Sequence, residues 1–496
     1  MAQSDDQKKS DIRWRKTNLI RAFLVIVSIL AVVMALVIIE LKFTHPEPSQ
    51  QGPKTNKTVC KSRPPHIVLV IADDLGWNDV EWNNVDIKMP VLNQLAADGV
   101  IFNNTYVQPL CTPSRSALMT GYYPFKTGNQ HQFLFNLHPA GLPLEYKILP
   151  ERLKDVGYLT HAIGKWHLGF CKEDYLPTKR GFDSHYGPWT GSFSSHYTKM
   201  TQEGYDFRDN MGVVQQSNTY LTYMLTERAV DLIMGHYVEY PLYLQYNIDL
   251  PAKFPEVPPE YEALYSNITD NRTRAFYGKM SLIDDSVNSV VEALKTRGLW
   301  DDTLFIFISD NGAAASQAGS NWLWHIVDLH KTILTLAGAE SESDIDGMDM
   351  WETFSKGAPS PRNEFVYNID DFELSPNAAI RVGDYKLITG NPDLLYPFRL
   401  ANRSDDWYNY GDVPINALFL SPDEDLPPPP NVTWLFNIKD DPEEKNDIAE
   451  LYPEIVQELS HRLDEYREDL VPPVNLLSDP AGDAANFGGV WSSGWC

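Results

Sequence analysis

The sequence has 496 residues, and its 67 acidic against 41 basic side chains give a formal net charge of −26. This length supports a sizeable core in more than one layer and excludes a small disulfide-stapled scaffold. The acidic excess argues against a nucleic-acid partner and offers no long-range attraction to a polyanion. A polyanionic substrate would have to be held by local positive charge.

The N-terminal part of the chain predicts a membrane anchor. Residues 22–39 carry no charged side chain, and at about 1.5 Å per helical residue they span roughly 27 Å, close to the thickness of a bilayer core. Basic residues precede this run, which favours a cytoplasmic tail at 1–21 and a lumenal position for the rest of the chain. Residues 44–65, rich in Pro, Lys, Gln and Thr, are predicted as a stalk. A cleaved signal peptide is the alternative interpretation.

The distribution of glycosylation sequons agrees with this orientation. Six Asn-x-Ser/Thr sequons follow the predicted anchor, at Asn56, Asn103, Asn267, Asn271, Asn402 and Asn431. Together they predict a secretory-pathway glycoprotein, a single-pass type II membrane protein with a lumenal catalytic domain. Its destination stays open among the lysosome, the Golgi and the cell surface.

The region 66–358 alternates between patterns of buried strands and of helices. Strands are predicted at 66–72, 158–163, 241–248 and 303–309, and helices at 90–98, 149–155 and 281–295. This alternation predicts an α/β catalytic domain, in which a mostly parallel central sheet is flanked by helices. Ligand sites in such sheets lie at the carboxyl ends of the strands.

The pattern changes from residue 359 onwards. Two short strands are predicted within 378–389 and another at 434–438, followed by an amphipathic helix at 450–469. The region 359–496 is therefore predicted as a smaller C-terminal α+β subdomain.

Oxygen-bearing side chains follow two of the predicted strands. Asp73 and Asp74 end the first strand, and Asp310 and Asn311 end the strand at 303–309. Adjacent carboxylates repel each other unless water solvates them, as in an exposed turn, or a cation lies between them. The set predicts a site for calcium or magnesium, which prefer all-oxygen ligands.

The segment CTPSRSALMTG at 111–121 places Cys, Pro and Arg at alternate positions, the pattern that a formylglycine-generating enzyme recognises. Thr112 is predicted as a helix N-cap and Pro113 in the first turn, so the side chain at 111 would lie at a helix N-terminus, which favours anions. Arg115 would add positive charge close to the metal.

A second segment, GKWHLG at 164–169, follows the strand predicted at 158–163. Lys165 and His167 are two residues apart, so on an extended segment they face the same side. Lys165 would neutralise the oxygens of a bound anion, and His167 would orient or deprotonate a nucleophile.

Together with IADDLG at 71–76, GFD at 181–183, SDNG at 309–312 and WLFN at 434–437, these segments resemble the sulfatase family, above all its arylsulfatase B group. The resemblance implies an alkaline-phosphatase-like α/β fold and the hydrolysis of sulfate esters, either aryl sulfates or sulfated carbohydrates. N-acetylgalactosamine sulfates of dermatan and chondroitin are the substrates to which it points.

The resemblance also implies a catalytic site. Cys111 would be oxidised to formylglycine, whose hydrate attacks sulfur, while Arg115, Lys165 and His167 stabilise the developing charges. One calcium ion would be held by Asp73, Asp74, the modified Cys111, Asp310 and Asn311. The three other cysteines, Cys60, Cys171 and Cys496, then allow at most one internal disulfide.

The chain departs from the family in two places. No histidine occurs between His236 and His325, and no lysine occurs between Asn311 and Lys331, although the family uses a sulfate-binding residue of each type in these regions. A few dozen residues of the family pattern are also missing near 321–324. Lys253 would replace only part of the positive charge that the absent lysine and histidine supply in the family. An alternative is therefore a catalytically impaired sulfatase-like protein or splice form that binds metal and sulfated glycans. A metal-dependent phosphohydrolase is disfavoured because such enzymes use Ser or Thr at the position of the cysteine.

Overall fold

The structure is a computed structural model that describes residues 63–191, 195–201, 204–251, 256–312, 323–371, 376–390, 432–474 and 477–496. The predicted tail and anchor, and all but the last three residues of the predicted stalk, lie outside these ranges. Within the described residues, no helix combines the length and the apolar character needed to cross a bilayer. Of the six sequon asparagines, the three that are described are exposed: Asn103, Asn267 and Asn271.

Fifteen strands are defined in the described residues: β1 (His66–Asp73), β2 (Thr105–Tyr106), β3 (Leu159–Gly164), β4 (Ser184–Gly187), β5 (Met200–Thr201), β6 (Gly204–Tyr205), β7 (Arg208–Asp209), β8 (Gly212–Val213), β9 (Leu242–Pro251), β10 (Thr303–Ser309), β11 (Trp324–His325), β12 (Glu364–Asp370), β13 (Asn377–Val382), β14 (Tyr385–Gly390) and β15 (Val432–Asn437).

Ten α-helices accompany these strands in the described residues: α1 (Pro90–Asp98), α2 (Cys111–Thr120), α3 (Pro124–Thr127), α4 (Leu149–Asp155), α5 (Leu221–Gly235), α6 (Pro259–Ala263), α7 (Asn271–Arg297), α8 (Ile326–Ala337), α9 (Trp351–Lys356) and α10 (Pro453–Arg467).

The central sheet has seven strands in the order β10-β1-β9-β3-β4-β7-β8. Strands β10, β1, β9, β3 and β4 run parallel, and the short β7 and β8 are antiparallel. Two hydrophobic cores cover its faces, and β1 contributes alternate residues to each: Ile67, Leu69 and Ile71 to one, Val68, Val70 and Ala72 to the other. Burial on both faces explains the unbroken apolar run in the sequence. The predicted α/β fold is confirmed.

Strand β10 forms one edge of this sheet, although its sequence is that of an interior strand. Ile306 and Ile308 pack against one core and Phe305 and Phe307 against the other, yet all seven residues of β10 are partly exposed. Among the described residues, no second strand pairs with β10. The predicted shortening near 321–324 follows this strand in the chain and falls partly outside the described residues.

The C-terminal part forms an antiparallel sheet in the order β12-β13-β14-β15, with α10 packed nearby. Phe365 and Leu387 of this sheet and Leu459 of α10 belong to the same core cluster as Leu118 of α2. The predicted strands and helix of this region are therefore confirmed, while the proposed domain boundary at 358–359 stays a prediction.

A disulfide joins Cys171 to Cys496, 325 positions apart. It is one of the pairings that modification of Cys111 would leave possible. Cys60 lies outside the described residues.

Candidate active site

The predicted oxygen ligands meet at the carboxyl edge of the sheet. β1 and β10 are parallel neighbours, and the backbone N–H of Asp310 donates to Ala72 O at 3.1 Å. As a result, ligand atoms of Asp73, Asp74, Cys111 and Asp310 all lie within 4.8 Å of one another. The backbone that places them is held in an unusual conformation, since Asp74 has a φ of 62°. Such strain persists only where surrounding contacts impose it.

Asn311 completes this group. Its Nδ2 donates to Asp74 Oδ1 at 2.5 Å, while its Oδ1 is buried and accepts no hydrogen bond from the described residues. Three carboxylates and an orphaned amide oxygen are a donor set that suits a hard divalent cation. The residues present therefore fit the predicted calcium site.

Cys111 is the first residue of helix α2, so its side chain lies at a helix N-terminus as expected. The N-cap, however, is Leu110, and the prediction that Thr112 caps the helix is wrong. The Thr112 hydroxyl is occupied by tertiary contacts: it donates to His167 O at 3.1 Å and accepts from the Leu134 N–H at 3.0 Å. These bonds tie the start of the helix to the loop that carries His167.

Arg115 is buried one turn into α2, and its guanidinium group donates hydrogen bonds to three residues. Nε and Nη2 donate to Asp310 Oδ2 at 3.0 and 2.8 Å, and Nη1 donates to Lys165 O and Asn247 Oδ1, each at 3.1 Å. Charge-assisted bonds of this kind are the strong ones. Arg115 thus compensates one carboxylate of the group and fixes its position.

Lys165 reaches into the same group from the end of β3. Its Nζ lies 2.6 Å from Asp73 Oδ2 and 3.2 Å from Cys111 Sγ. The preceding Gly164 makes this approach possible, since it has a φ of +86° and an added Cβ would lie 1.8 Å from Asn247 O. Only a residue without a side chain fits that backbone.

His167 does not continue an extended segment, as the alternation with Lys165 had predicted. It has a φ of 61°, so the left-handed conformation, not strand alternation, decides where its ring points. Its Nε2 lies 3.0 Å from Leu134 O. Because a carbonyl oxygen only accepts, Nε2 carries the proton and Nδ1 keeps its lone pair. Nδ1 is buried and has no hydrogen-bond partner among the described residues.

Burial and charge set the protonation of the site. Burial, followed by the positive charges of Lys165 and Arg115, holds the pKa of His167 well below 6.5. Burial also raises the pKa of the Cys111 thiol well above 9.0, so an unmodified cysteine stays protonated and poorly nucleophilic at neutral pH. Burial alone would lower the pKa of Lys165, but the Asp73 carboxylate beside it holds that pKa above 10.5.

Two residues of the site were missed in the sequence: Asn247 and Asp249 of β9. With Gln245 they form an alternating row of polar side chains within a buried, otherwise apolar strand. That alternation in a strand of a parallel sheet was the available signal, since a purely structural strand of this kind is apolar throughout. Lys253, considered as a source of replacement charge, lies outside the described residues.

Comparison with known proteins shows the family of the chain. Over residues 65–339, more than half of the chain, the sequence matches the family described as Sulfatase. Arylsulfatase J of Mus musculus is 34% identical, with 86% of this chain and 80% of that protein covered. N-acetylgalactosamine-6-sulfatase of Homo sapiens is 30% identical, with 62% of this chain and 69% of that protein covered.

A solved structure gives the same result for the fold. The crystal structure of Ps i-CgsB in complex with k-i-k-neocarrahexaose has a TM-score of 0.67 and 26% sequence identity, and the match covers 83% of this chain and 94% of that chain. The sequence match and the shared fold show that this chain belongs to the sulfatase family, the sulfuric ester hydrolases.

Proposed function

We propose that the chain hydrolyses sulfate esters of carbohydrates, using a formylglycine at residue 111 and one calcium ion. The observation that supports this most is the position of Cys111, at a helix N-terminus, 3.2 Å from Lys165 Nζ and within the acidic group of Asp73, Asp74 and Asp310. Burial keeps the Cys111 thiol protonated, so the unmodified side chain is a poor nucleophile. Oxidation by a formylglycine-generating enzyme would replace the thiol by an aldehyde, whose hydrate is a nucleophile.

The proposed calcium ion would be held by Asp73, Asp74, residue 111, Asp310 and Asn311, and would supply Lewis-acid stabilisation of sulfate oxygens. A hydrated formylglycine would supply two hydroxyls on one carbon. One would attack sulfur, so that the ester S–O bond breaks and the sugar leaves as an alcohol; deprotonation of the other would expel sulfate and restore the aldehyde.

The side chains around this residue have distinct proposed roles. Lys165 Nζ lies 3.2 Å from the side chain of residue 111. Its charge would neutralise the negative charge that develops on the nucleophile and on the sulfate oxygens. His167, with its proton on Nε2, presents the Nδ1 lone pair as a proton acceptor for a hydroxyl of the hydrate. Arg115 would hold Asp310 in place for the cation, and its charge would favour the ionised form of that carboxyl.

The proposed substrates are sulfated sugars, in particular N-acetylgalactosamine sulfates of glycosaminoglycans. Relatives named N-acetylgalactosamine-6-sulfatase and a structural relative solved with a neocarrahexaose support this class. Because the chain carries a net charge of −26, recognition of a sulfated polymer would depend on local contacts at the site.

Two measurements test the proposal together. Mass analysis of the peptide that contains residue 111, after co-expression with the generating enzyme, is expected to show the thiol replaced by an aldehyde. The same preparation is expected to hydrolyse an aryl sulfate, and chelation of calcium or a Cys111→Ala substitution should abolish turnover. An unmodified thiol with no turnover would overturn the proposal.

A catalytically impaired sulfatase is the second candidate. Within the described residues, the basic side chains that contact the acidic group are those of Arg115 and Lys165, and the family's lysine and histidine are absent from the sequence regions where they occur. Formylglycine without turnover, combined with retained binding of calcium, would favour this candidate.

The N-terminal segment carries a separate proposal, namely that residues 22–39 anchor the protein as a type II membrane protein of the secretory pathway. Extraction with alkaline carbonate is expected to leave the full chain with the membrane fraction, and deletion of 1–39 is expected to release it.

A further inference from the structure

Four large apolar side chains are exposed within one short segment, residues 234–240, which spans the last turn of α5 and the loop to β9. Met234, Tyr237, Val238 and Tyr240 are 42%, 66%, 38% and 46% exposed. In the rest of the described chain, exposed large apolar residues occur singly or in pairs along the sequence. A concentrated group of this kind marks an interaction surface, whereas scattered exposed residues do not. We call it the 234–240 patch.

Hydrogen bonds fix the backbone of the 234–240 patch. The loop turns at 237–240, where the Tyr240 N–H donates to Tyr237 O at 3.0 Å. Tyr240 O accepts a hydrogen bond from Arg63 Nη2 at 2.7 Å and lies 2.9 Å from His236 Nε2. Arg297 Nη2 in turn donates to His236 O at 2.8 Å. Because an ordered turn presents the apolar side chains, little backbone freedom would be lost when the patch binds a partner.

The 234–240 patch lies at the amino edge of the central sheet. The loop ends just before Leu242, the first residue of β9, and its contact with Arg63 places it beside the segment that enters β1 at His66. The candidate active site lies at the opposite, carboxyl edge, where β1 ends at Asp73. At about 3.3 Å per residue, the length of β1 separates the two edges by roughly 25 Å.

The course of the chain indicates what covers this patch. Arg63 follows directly on residues 40–62, which lead back to the charge-free run at 22–39. With that run in a bilayer, the patch would be tethered to a lipid surface, and a tether makes even a weak contact favourable.

The side chains of the patch suit a lipid surface. Tyrosine, with an apolar ring and a polar hydroxyl, is enriched at the membrane–water interface. Arg63 and Arg297 bond the backbone of this loop and bring positive charge that suits lipid phosphates. The loop itself carries one carboxylate, the exposed Glu239.

We propose that the 234–240 patch is a membrane-docking surface, which seats its tyrosines in the headgroup region of the bilayer. Docking at the amino edge of the sheet turns the carboxyl edge, and with it the candidate active site, away from the bilayer, where a large sulfated polymer can reach it. For its tether, this inference rests on the proposed membrane anchor.

Photocrosslinking of the full chain in phosphatidylcholine vesicles tests the docking surface. Tyr237 is replaced by p-benzoylphenylalanine, an aromatic residue that reacts on irradiation with C–H bonds within its reach, and the vesicles carry radiolabelled lipid. A lipid adduct is expected at position 237. Val85, replaced in the same way, is the matched control, because it is 91% exposed but lies in the loop that leaves the carboxyl end of β1. It should give no adduct.

Two further variants guard against a defect of one position. The same replacement at Tyr240 should also give a lipid adduct. Tyr240→Asp, combined with the crosslinker at 237, should lower the adduct yield severalfold, because a carboxylate is costly to bring into the interface. All these side chains are exposed, so an unchanged midpoint of thermal unfolding is expected for each variant.

Equal adducts at 237 and 85, a crosslink between two copies of the chain, or no lipid adduct at 237 and 240 would overturn the docking surface. Extraction with alkaline carbonate separates this from failure of the anchor. A chain that stays with the membrane fraction but gives no adduct keeps the anchor and loses the docking surface. An adduct on a chain that carbonate releases keeps the docking surface and loses the anchor, and release without an adduct overturns both.

Discussion

The ammonium group of Lys165 lies 2.6 Å from Asp73 Oδ2, and both side chains are buried. The same ammonium lies 3.2 Å from Cys111 Sγ. One side chain thus links the acidic group to the residue that is proposed to become the nucleophile.

Substitution of Lys165 by Met removes this link and leaves Asp73 without its main counter-charge. We expect kcat to fall about a hundred- to a thousandfold, equivalent to about 2.7–4 kcal/mol for one preorganised donor. Steady-state hydrolysis of an aryl sulfate measures the loss. Lys386→Met is the control, since Lys386 is a buried lysine paired with Glu444 in the C-terminal sheet. Equal losses in both variants would indicate a structural effect.

The low pKa of His167 predicts that this residue adds no acid limb to the pH profile of kcat/KM near neutral pH. Burial, together with Lys165 and Arg115, holds its pKa well below 6.5, so the imidazole stays neutral as the pH falls through that value. We expect the profile of kcat/KM between about pH 5 and 8 to show no inflection from this group. An inflection near 6.5 that disappears in His167→Gln would contradict the assignment.

Buried histidines predict a loss of stability in acid. Burial lowers the pKa of His185 from 6.5 to about 4. The unfolded chain therefore binds the proton more tightly, and the stabilisation present above pH 6.5 is lost as the pH falls toward 4. The contribution of one such group changes by about 1.4 kcal/mol per pH unit within this window.

His185→Gln tests this contribution, because a glutamine amide retains a donor for Gly164 O, which lies 3.0 Å from His185 Nε2. Urea unfolding at about pH 7 and pH 5 should show the variant losing about 2 kcal/mol less than the unmutated chain. Identical losses would mean that His185 is not a neutral buried group.

The Cys171–Cys496 disulfide tethers the segment that follows His167. Cys171 O accepts hydrogen bonds from the N–H groups of Gly494 and Trp495, at 2.7 and 3.2 Å. Cys496→Ser is expected to lower the free energy of unfolding by about 2–4 kcal/mol. Thermal unfolding of Cys171→Ser, Cys496→Ser and the double variant should show one common loss, because each removes the same bond. Additive losses would refute the pairing.

Two glycines with positive φ values provide a matched test of the site's geometry. Gly164 and Gly298 have φ values of +86° and +72°, but only at Gly164 would a Cβ collide with another atom, Asn247 O at 1.8 Å. Gly298→Ala should cost about 1 kcal/mol for the backbone conformation alone. Gly164→Ala should cost more and displace Lys165, with loss of activity; equal stability and activity of the two variants would contradict this.

Much of the fold follows from local pattern. The run at 66–72 predicts a strand buried on both faces, and the structure confirms it as β1, with alternate residues in two cores. Helices at 90–98 and 149–155 begin and end where their sequence patterns do. These elements are predictable because burial and backbone preference are encoded by residues that are neighbours in the sequence.

Other features depend on contacts that no local pattern carries. Thr112 is a good N-cap by type, but the Thr112 hydroxyl bonds His167 O, 55 positions away. His167 reads as part of an extended segment, yet tertiary contacts hold it at a φ of 61°. In both cases the partner that decides the conformation is supplied by a distant part of the chain.

The sequence by itself determined the family, the residue that is proposed to be modified and the oxygen donors at the strand ends, because these depend on residue type and spacing. Only the tertiary structure decided how they meet. The sheet order β10-β1-β9-β3 places these strands side by side. Side chains that follow different strands, such as Asp73 after β1 and Asp310 after β10, therefore share one buried edge. That proximity, and with it the tautomer of His167, arises from packing between segments that are far apart in the chain.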